Sequence, residues 1–181
     1  MIEAPGRPSH PRVTRASFGA TAKILKFSYD DTTAPGIFLD IYKYADNRAV
    51  LYGKISRFEP DIAFGILHKF VQLADWLEKD GRKLSIKNIV VSGEQLTNGV
   101  RERLGRVFNS RVFSAYGSRE FGIIGFECQE ENVFHLFPER LLLEILDENM
   151  APAPTGVDGK LIITHFGNIR FPFIRYDIGD V

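Results

Sequence analysis

Two apolar runs, each stopping on a polar bend, constrain this chain more than any other feature. In "IKNIVVSGEQL" the run over residues 86–91 breaks at Ser92-Gly93-Glu94. In "RVFSAYGSREFG" the run holding Val112, Phe113 and Ala115 breaks at Tyr116-Gly117-Ser118-Arg119-Glu120. Between them Thr97 stands where an N-cap belongs, and Val100, Leu104 and Phe108 repeat on one helical face. Upstream, Pro60 marks a helix start; Ile66, Phe70, Leu73 and Leu77 fall three to four apart, and Gly81 follows as the stop. Strand, bend, helix, strand, bend predicts an α/β fold: a largely parallel sheet with flanking helices. In such sheets ligands collect at the carboxyl ends of the strands, where both bends fall.

The flanks read differently. Residues 1–20 are irregular, interrupted by Pro5, Pro8 and Pro11. Residues 22–29 and 36–44 alternate apolar and polar side chains and predict strands, joined by a loop over 30–36. Residues 121–181 are strand-rich, with turn-forming residues over 149–159, and predict a mixed or antiparallel region after the parallel one. The chain thus divides into a segment 1–55 that is hard to place and a coherent part 56–181.

Composition narrows the function classes. The 23 basic and 23 acidic residues cancel, which gives no electrostatic reason to expect nucleic acid or an anionic membrane as partner. No apolar run reaches the ~20 residues that span a bilayer. The first fifteen residues lack the apolar stretch of a secretory signal, and a single cysteine, Cys128, rules out an internal disulfide, so a cytoplasmic location is expected. Cys128 and His135, with Glu127 adjacent, are two zinc candidates where about four ligands are needed. His68 falls near the apolar face of its helix and reads as packing or pocket lining rather than as a base. The fifteen Phe and six Tyr either line a pocket for a flat ligand or pack the core.

Taken together, "VVSGEQL", "SAYGSREFG" and, about sixty residues later, "FIRYDIGD" resemble the fourth, fifth and seventh core motifs of the adenylate-forming superfamily, in the same order and spacing. Thr164, Asn168, Pro172, Arg175 and Asp180, together with the "YGSREFG" bend, resemble the phenylacetate–coenzyme A ligase-like subgroup, which includes coenzyme F390 synthetase-like and capsule-biosynthesis-type members. The resemblance covers residues 56–181.

That resemblance implies part of the large N-terminal domain of an acyl-adenylate-forming enzyme. It implies ATP, Mg²⁺ and coenzyme A as cofactors and a small carboxylic acid, aryl or other, as substrate. The acid would attack the α-phosphate of ATP, releasing pyrophosphate, and a coenzyme A thiol would then displace AMP. Both steps place negative charge on oxygen, so positioned donors and a metal ion carry the catalysis.

Carried over by residue, Tyr116 would lie against adenine, Gly117 would let the backbone approach the nucleotide, and Ser118 would donate to phosphate. Glu120 would hold Mg²⁺, a hard cation suited to carboxylate and water. Arg119 stands where the superfamily has Thr; it either binds phosphate bidentately or closes a salt bridge. Ser92, Gly93 and Glu94 either border the nucleotide or acyl pocket or form a plain strand-to-helix turn. Asp180 would accept from the ribose hydroxyls, and Arg175 either holds phosphate or forms a structural ion pair. The superfamily's upstream phosphate loop and C-terminal lid lysine have no counterpart in the sequence, so the chain reads as an internal fragment. The alternatives are a non-catalytic nucleotide-binding remnant and an adenylyltransferase of the coenzyme F390 synthetase kind.

Overall fold

Three fully buried rings organise the first half of the molecule. Phe70 meets Phe27 edge-on at 5.0 Å between ring centroids and Phe108 at 6.5 Å, all with 0% exposure. The computed structural model describes residues 22–27, 36–128, 133–167 and 169–180. Its chain divides into two compact units, Met1–Ser114 and Ala115–Val181.

In the first unit the strands β1 (Ile24–Lys26), β2 (Ile37–Phe38), β3 (Ile62–Ile66), β4 (Asn88–Ser92) and the start of β5 (Arg111–Ser118) pair in parallel in the order β2-β1-β3-β4-β5. The helices are α1 (Arg48–Phe58), α2 (Leu67–Lys79) and α3 (Asn98–Phe108). The parallel sheet with flanking helices is the expected class. α2 buries Leu67, Phe70, Leu73, Ala74 and Leu77. It stops where Gly81 takes φ +60 and Arg82 N–H returns to the Leu77 carbonyl at 2.9 Å, the left-handed stop that glycine permits. α3 follows Thr97 and buries Leu104 and Phe108, as the spacing predicts.

Two local expectations are corrected here. Pro60 opens no helix: residues 62–66 are β3, and the helix begins at Leu67. β3 is covered on both faces, with Ile62, Ala63 and Gly65 buried, so it lacks the alternation that marks a strand. The strand expected over 36–44 shrinks to Ile37–Phe38; Ile41–Tyr44 is a 3-10 turn whose Tyr42 N–H donates to the Asp40 side chain at 3.2 Å. Residues 48–58, for which no element was expected, form α1, which buries Leu51, Tyr52 and Ile55. The expected irregular segment 1–20, most of the 30–36 loop and residues 28–29 of the first strand lie outside the described residues.

α1 is tied to the end of α2 through one carboxylate. Tyr52 Oη donates to Asp80 Oδ2 at 2.8 Å, Arg48 reaches the same carboxylate at 3.2 Å, and the Arg48 guanidinium lies 5.8 Å from the Trp76 ring centre. Burial, and then the hydrogen bond to Asp80, push the Tyr52 phenol up to about 12.

The second unit is antiparallel, as expected for the strand-rich region. The end of β5 folds back on β6 (Gly122–Cys128), and β6 pairs with β7 (Val133–Leu136). A separate sheet has the order β10-β9-β8, formed by β8 (Leu141–Leu146), β9 (Lys160–His165) and β10 (Tyr176–Asp177). Its core holds Phe121, Ile124, Leu141 and Ile163, with Tyr116, Leu143, Leu161, Phe173 and Ile178 packed against them. That cluster draws the end of β5 and the segment after β10 to the same apolar centre.

Candidate nucleotide site

The hairpin of β5 and β6 is irregular where the sequence turns polar. Tyr116 pairs with Gly125, yet Gly117 pairs with Ile123, so Ile124 is an extra residue on β6. Such a bulge bends the strand and re-aims its side chains. Here Ile124 is fully buried in the apolar cluster. Gly117 meets a constraint of its own: a Cβ there would lie 2.4 Å from the Gly122 carbonyl oxygen and 3.1 Å from Ile123 Cα. The space a side chain would need is filled by the partner strand's backbone.

Tyr116 Oη donates to Asp180 Oδ2 at 2.5 Å, across 64 residues of sequence. Tyr116 is half-buried and its ring meets Phe134 edge-on at 6.3 Å. Burial, and then the Asp180 carboxylate, raise the phenol well above its ordinary range, so it keeps its proton and remains a donor. Asp180 is held at its main chain, where Leu161 N–H donates to its carbonyl at 3.1 Å, and Gly179 before it takes φ +85. The two motif ends, remote in sequence, are therefore in direct contact.

The turn after β5 holds Arg119 and Glu120, both exposed. Glu120 is held below the usual carboxylate range, first by its own backbone N–H, then by the Ser118 hydroxyl, with the Arg119 charge adding to both. Ser118 Oγ also accepts from Phe121 N–H at 3.3 Å, so this hydroxyl braces the turn and the acid. A single exposed carboxylate kept ionised fits a magnesium ion that arrives with phosphate and retains water, rather than one caged by protein.

Arg175 faces elsewhere. Its Nε donates to Glu144 Oε2 at 3.2 Å and its N–H to Thr164 Oγ1 at 2.9 Å, with φ +46. Of the two roles open to it, the structure contains the ion pair. Asn168 of the same motif lies outside the described residues.

In the first unit, β4 ends at Ser92, Gly93 takes φ +79, and Glu94 Oε1 lies 2.6 Å from His68 Nδ1. His68 was expected near the apolar face of α2; its side chain is instead 48% exposed, turned to Glu94 at the carboxyl end of β4. Sequence reading missed this pairing because the two residues are 26 apart. It also missed Phe134, exposed like every residue of β7, whose ring flanks Tyr116 from 18 residues away in sequence.

At the opposite, amino ends of β1, β3 and β4, Lys23, Glu59, Asp61 and Lys87 line an open depression. Lys87 pairs with Asp61 at 2.8 Å and Lys23 with Glu59 at 3.8 Å, leaving a charge-balanced surface. For zinc, the register sets Cys128 opposite Val133 and His135 opposite Phe126, and no group of three or more metal-ligating side chains occurs among the described residues. No helix among them is long and apolar enough to cross a membrane.

Neither a protein-family model nor a curated protein matches the chain by sequence. Solved structures do. A 2-hydroxyisobutyryl-CoA ligase in complex with 2-HIB-AMP and CoA superimposes with a TM-score of 0.73 at 17% identity, over 87% of this chain and 38% of that one. A benzoate CoA ligase from Burkholderia xenovorans LB400 gives 0.62 at 13% identity, over 86% and 38%. The anthranilate CoA ligase AuaEII in complex with anthranoyl-AMP gives 0.60 at 14%, over 80% and 31%. At these identities the similarity is one of fold: a mixed α/β fold matching the N-terminal domain of adenylate-forming CoA ligases. The chain spans less than half the length of these ligases.

Proposed function

We propose that this chain is the nucleotide-binding part of an ATP-dependent acid–CoA ligase of the phenylacetate–coenzyme A ligase-like kind, acting in the cytoplasm. The contact between Tyr116 and Asp180 carries the reading. It puts an aromatic face and a carboxylate with spare acceptor capacity side by side, which suits the base and the vicinal diol of one nucleoside.

In this reading Tyr116 stacks on adenine and Asp180 accepts from the ribose. Glu120, steadied by Ser118, would hold a Mg²⁺ that supplies charge neutralisation for the phosphates, and Arg119 meets phosphate oxygens. The resemblance would give Ser92, Gly93 and Glu94 to the nucleotide or acyl pocket. The acid's carboxylate oxygen bonds to the α-phosphorus as the bond to pyrophosphate breaks; the coenzyme A sulfur then bonds to the acyl carbon as AMP leaves. Small carboxylic acids, aryl or aliphatic, are the candidate substrates, since the ligases of like fold include 2-hydroxyisobutyryl-CoA, benzoate CoA and anthranilate CoA ligases.

The test has two readouts: AMP binding by calorimetry, and ATP–pyrophosphate exchange with a panel of aryl and aliphatic acids. Micromolar to millimolar AMP binding, weakened about tenfold or more but still measurable in Asp180→Ala, is expected. A folded protein that binds no AMP refutes the proposal.

A further inference from the structure

Resting on that reading, we infer that Tyr116 has a second task beyond its ring: its hydroxyl is a positioning group that holds the Asp180 carboxylate in the orientation the ribose needs. The aromatic role uses only the face of the ring, and phenylalanine would supply that as well. The structure shows the hydroxyl in use, donating to Asp180 Oδ2 at 2.5 Å.

Asp180 needs such a partner. Its side chain is exposed and follows a glycine in the left-handed conformation. Its main chain is held by Leu161, but its carboxylate turns about two single bonds, and ordering a free side chain on binding costs affinity. Tyr116 comes from a different strand and is anchored in the Phe121–Ile124–Leu141–Ile163 cluster. A phenol fixed there and kept protonated by its surroundings orders the carboxylate before any ligand arrives.

Lone-pair counting separates support from competition. A carboxylate has about four acceptor positions, and the phenol takes one on Oδ2. Oδ1 and the rest of Oδ2 remain for the two hydroxyls of a vicinal diol. The phenol and a ribose can therefore share Asp180.

The test compares AMP with 2′,3′-dideoxy-AMP, by calorimetry, on the wild-type chain and on Tyr116→Phe. Circular dichroism and thermal unfolding establish that the variant is folded. Tyr116→Phe should weaken AMP about 3- to 10-fold, the range for losing a charge-assisted hydrogen bond at a partly exposed site. It should leave the dideoxy analogue within about twofold, because that ligand makes no demand on Asp180. On Asp180→Ala, adding Tyr116→Phe should cost AMP nothing more. Equal losses for both ligands would show that the hydroxyl acts through the ring or the fold and would overturn the inference. So would unchanged AMP binding, and so would tighter AMP binding, which would mean that the phenol competes with the ribose. A wild-type chain that binds no AMP fails at an earlier step and overturns the ligase reading, and this inference with it.

Discussion

Replacing Gly117 with alanine separates two reasons for a glycine at the bend. The nucleotide reading wants Gly117 so that a ligand can approach the backbone. The structure supplies a different demand. An alanine Cβ would sit 2.4 Å from the Gly122 carbonyl oxygen, where contacts under 3.0 Å are essentially never found, and 3.1 Å from both the Gly122 carbonyl carbon and Ile123 Cα. All three are main-chain atoms, so no rotamer change relieves the overlap; the two strands must part by at least half an ångström. Parting them disturbs the pairing of Gly117 with Ile123 and of Ser118 with Gly122, and shifts the buried Ile124 beside them. Overpacking of this kind costs about 1–3 kcal/mol. With rigid backbone on the far side, the upper part of that range applies, about 2–3 kcal/mol, or a fall in Tm of roughly 4–12 °C for a chain of this size. Thermal unfolding followed by circular dichroism measures it. Amide exchange should show the loss concentrated in β5 and β6. Gly53→Ala is the control: in α1 a Cβ meets nothing within 4 Å, and alanine in a helix gains about 0.5–1 kcal/mol over glycine. A Gly117→Ala protein as stable as wild type, impaired solely in AMP binding, would refute the packing argument.

Phe70→Ala empties the centre of the first unit, where Phe27 and Phe108 both lean on that ring; a loss of about 3–5 kcal/mol by denaturant unfolding is expected. The raised phenol of Tyr52 stabilises the fold fully below pH 10, and that contribution should fade between pH 10 and about 12 as the unfolded chain ionises first. Unfolding across that window should show the decline in wild type and a smaller one in Tyr52→Phe. Glu120, held below the ordinary carboxylate range, should stay charged at mildly acidic pH. At pH 7.5, where the nucleotide's phosphates are ionised, Glu120→Gln should weaken Mg²⁺-dependent ATP binding about tenfold or more.

The fold was legible where burial leaves one face free. α2 and α3 each show a wet side, and their apolar spacing gave Phe70, Leu73, Leu77, Leu104 and Phe108 directly. β3 was not legible, because a central parallel strand is dry on both faces and Ile62, Ala63, Phe64, Gly65 and Ile66 carry no period. α1 was hidden for the opposite reason. It buries Leu51, Tyr52 and Ile55 but begins without a side-chain cap, and its anchor, Asp80, lies 28 residues downstream of Tyr52. Partners that remote leave no local trace.

The polar bend shows why one motif can mix two kinds of requirement. Gly117 answers to the backbone of β6, and Ser118 answers to Phe121 and Glu120. Neither demand refers to a ligand, and both would exist in any hairpin of this shape. Tyr116 and Asp180 differ. Theirs is a charge-assisted bond near the surface, where such a contact adds little to stability. A phenylalanine at 116 would pack against the same apolar cluster equally well, and the fold does not require a carboxylate at 180, whose main chain is already held by Leu161 of β9. What the fold leaves unexplained is the pairing of a donor fixed on β5 with an acceptor in the segment after β10. Under the proposed reading, chemistry at a ligand explains it, and that is why the Tyr116–Asp180 contact, rather than the glycine beside it, bears the weight of the functional reading.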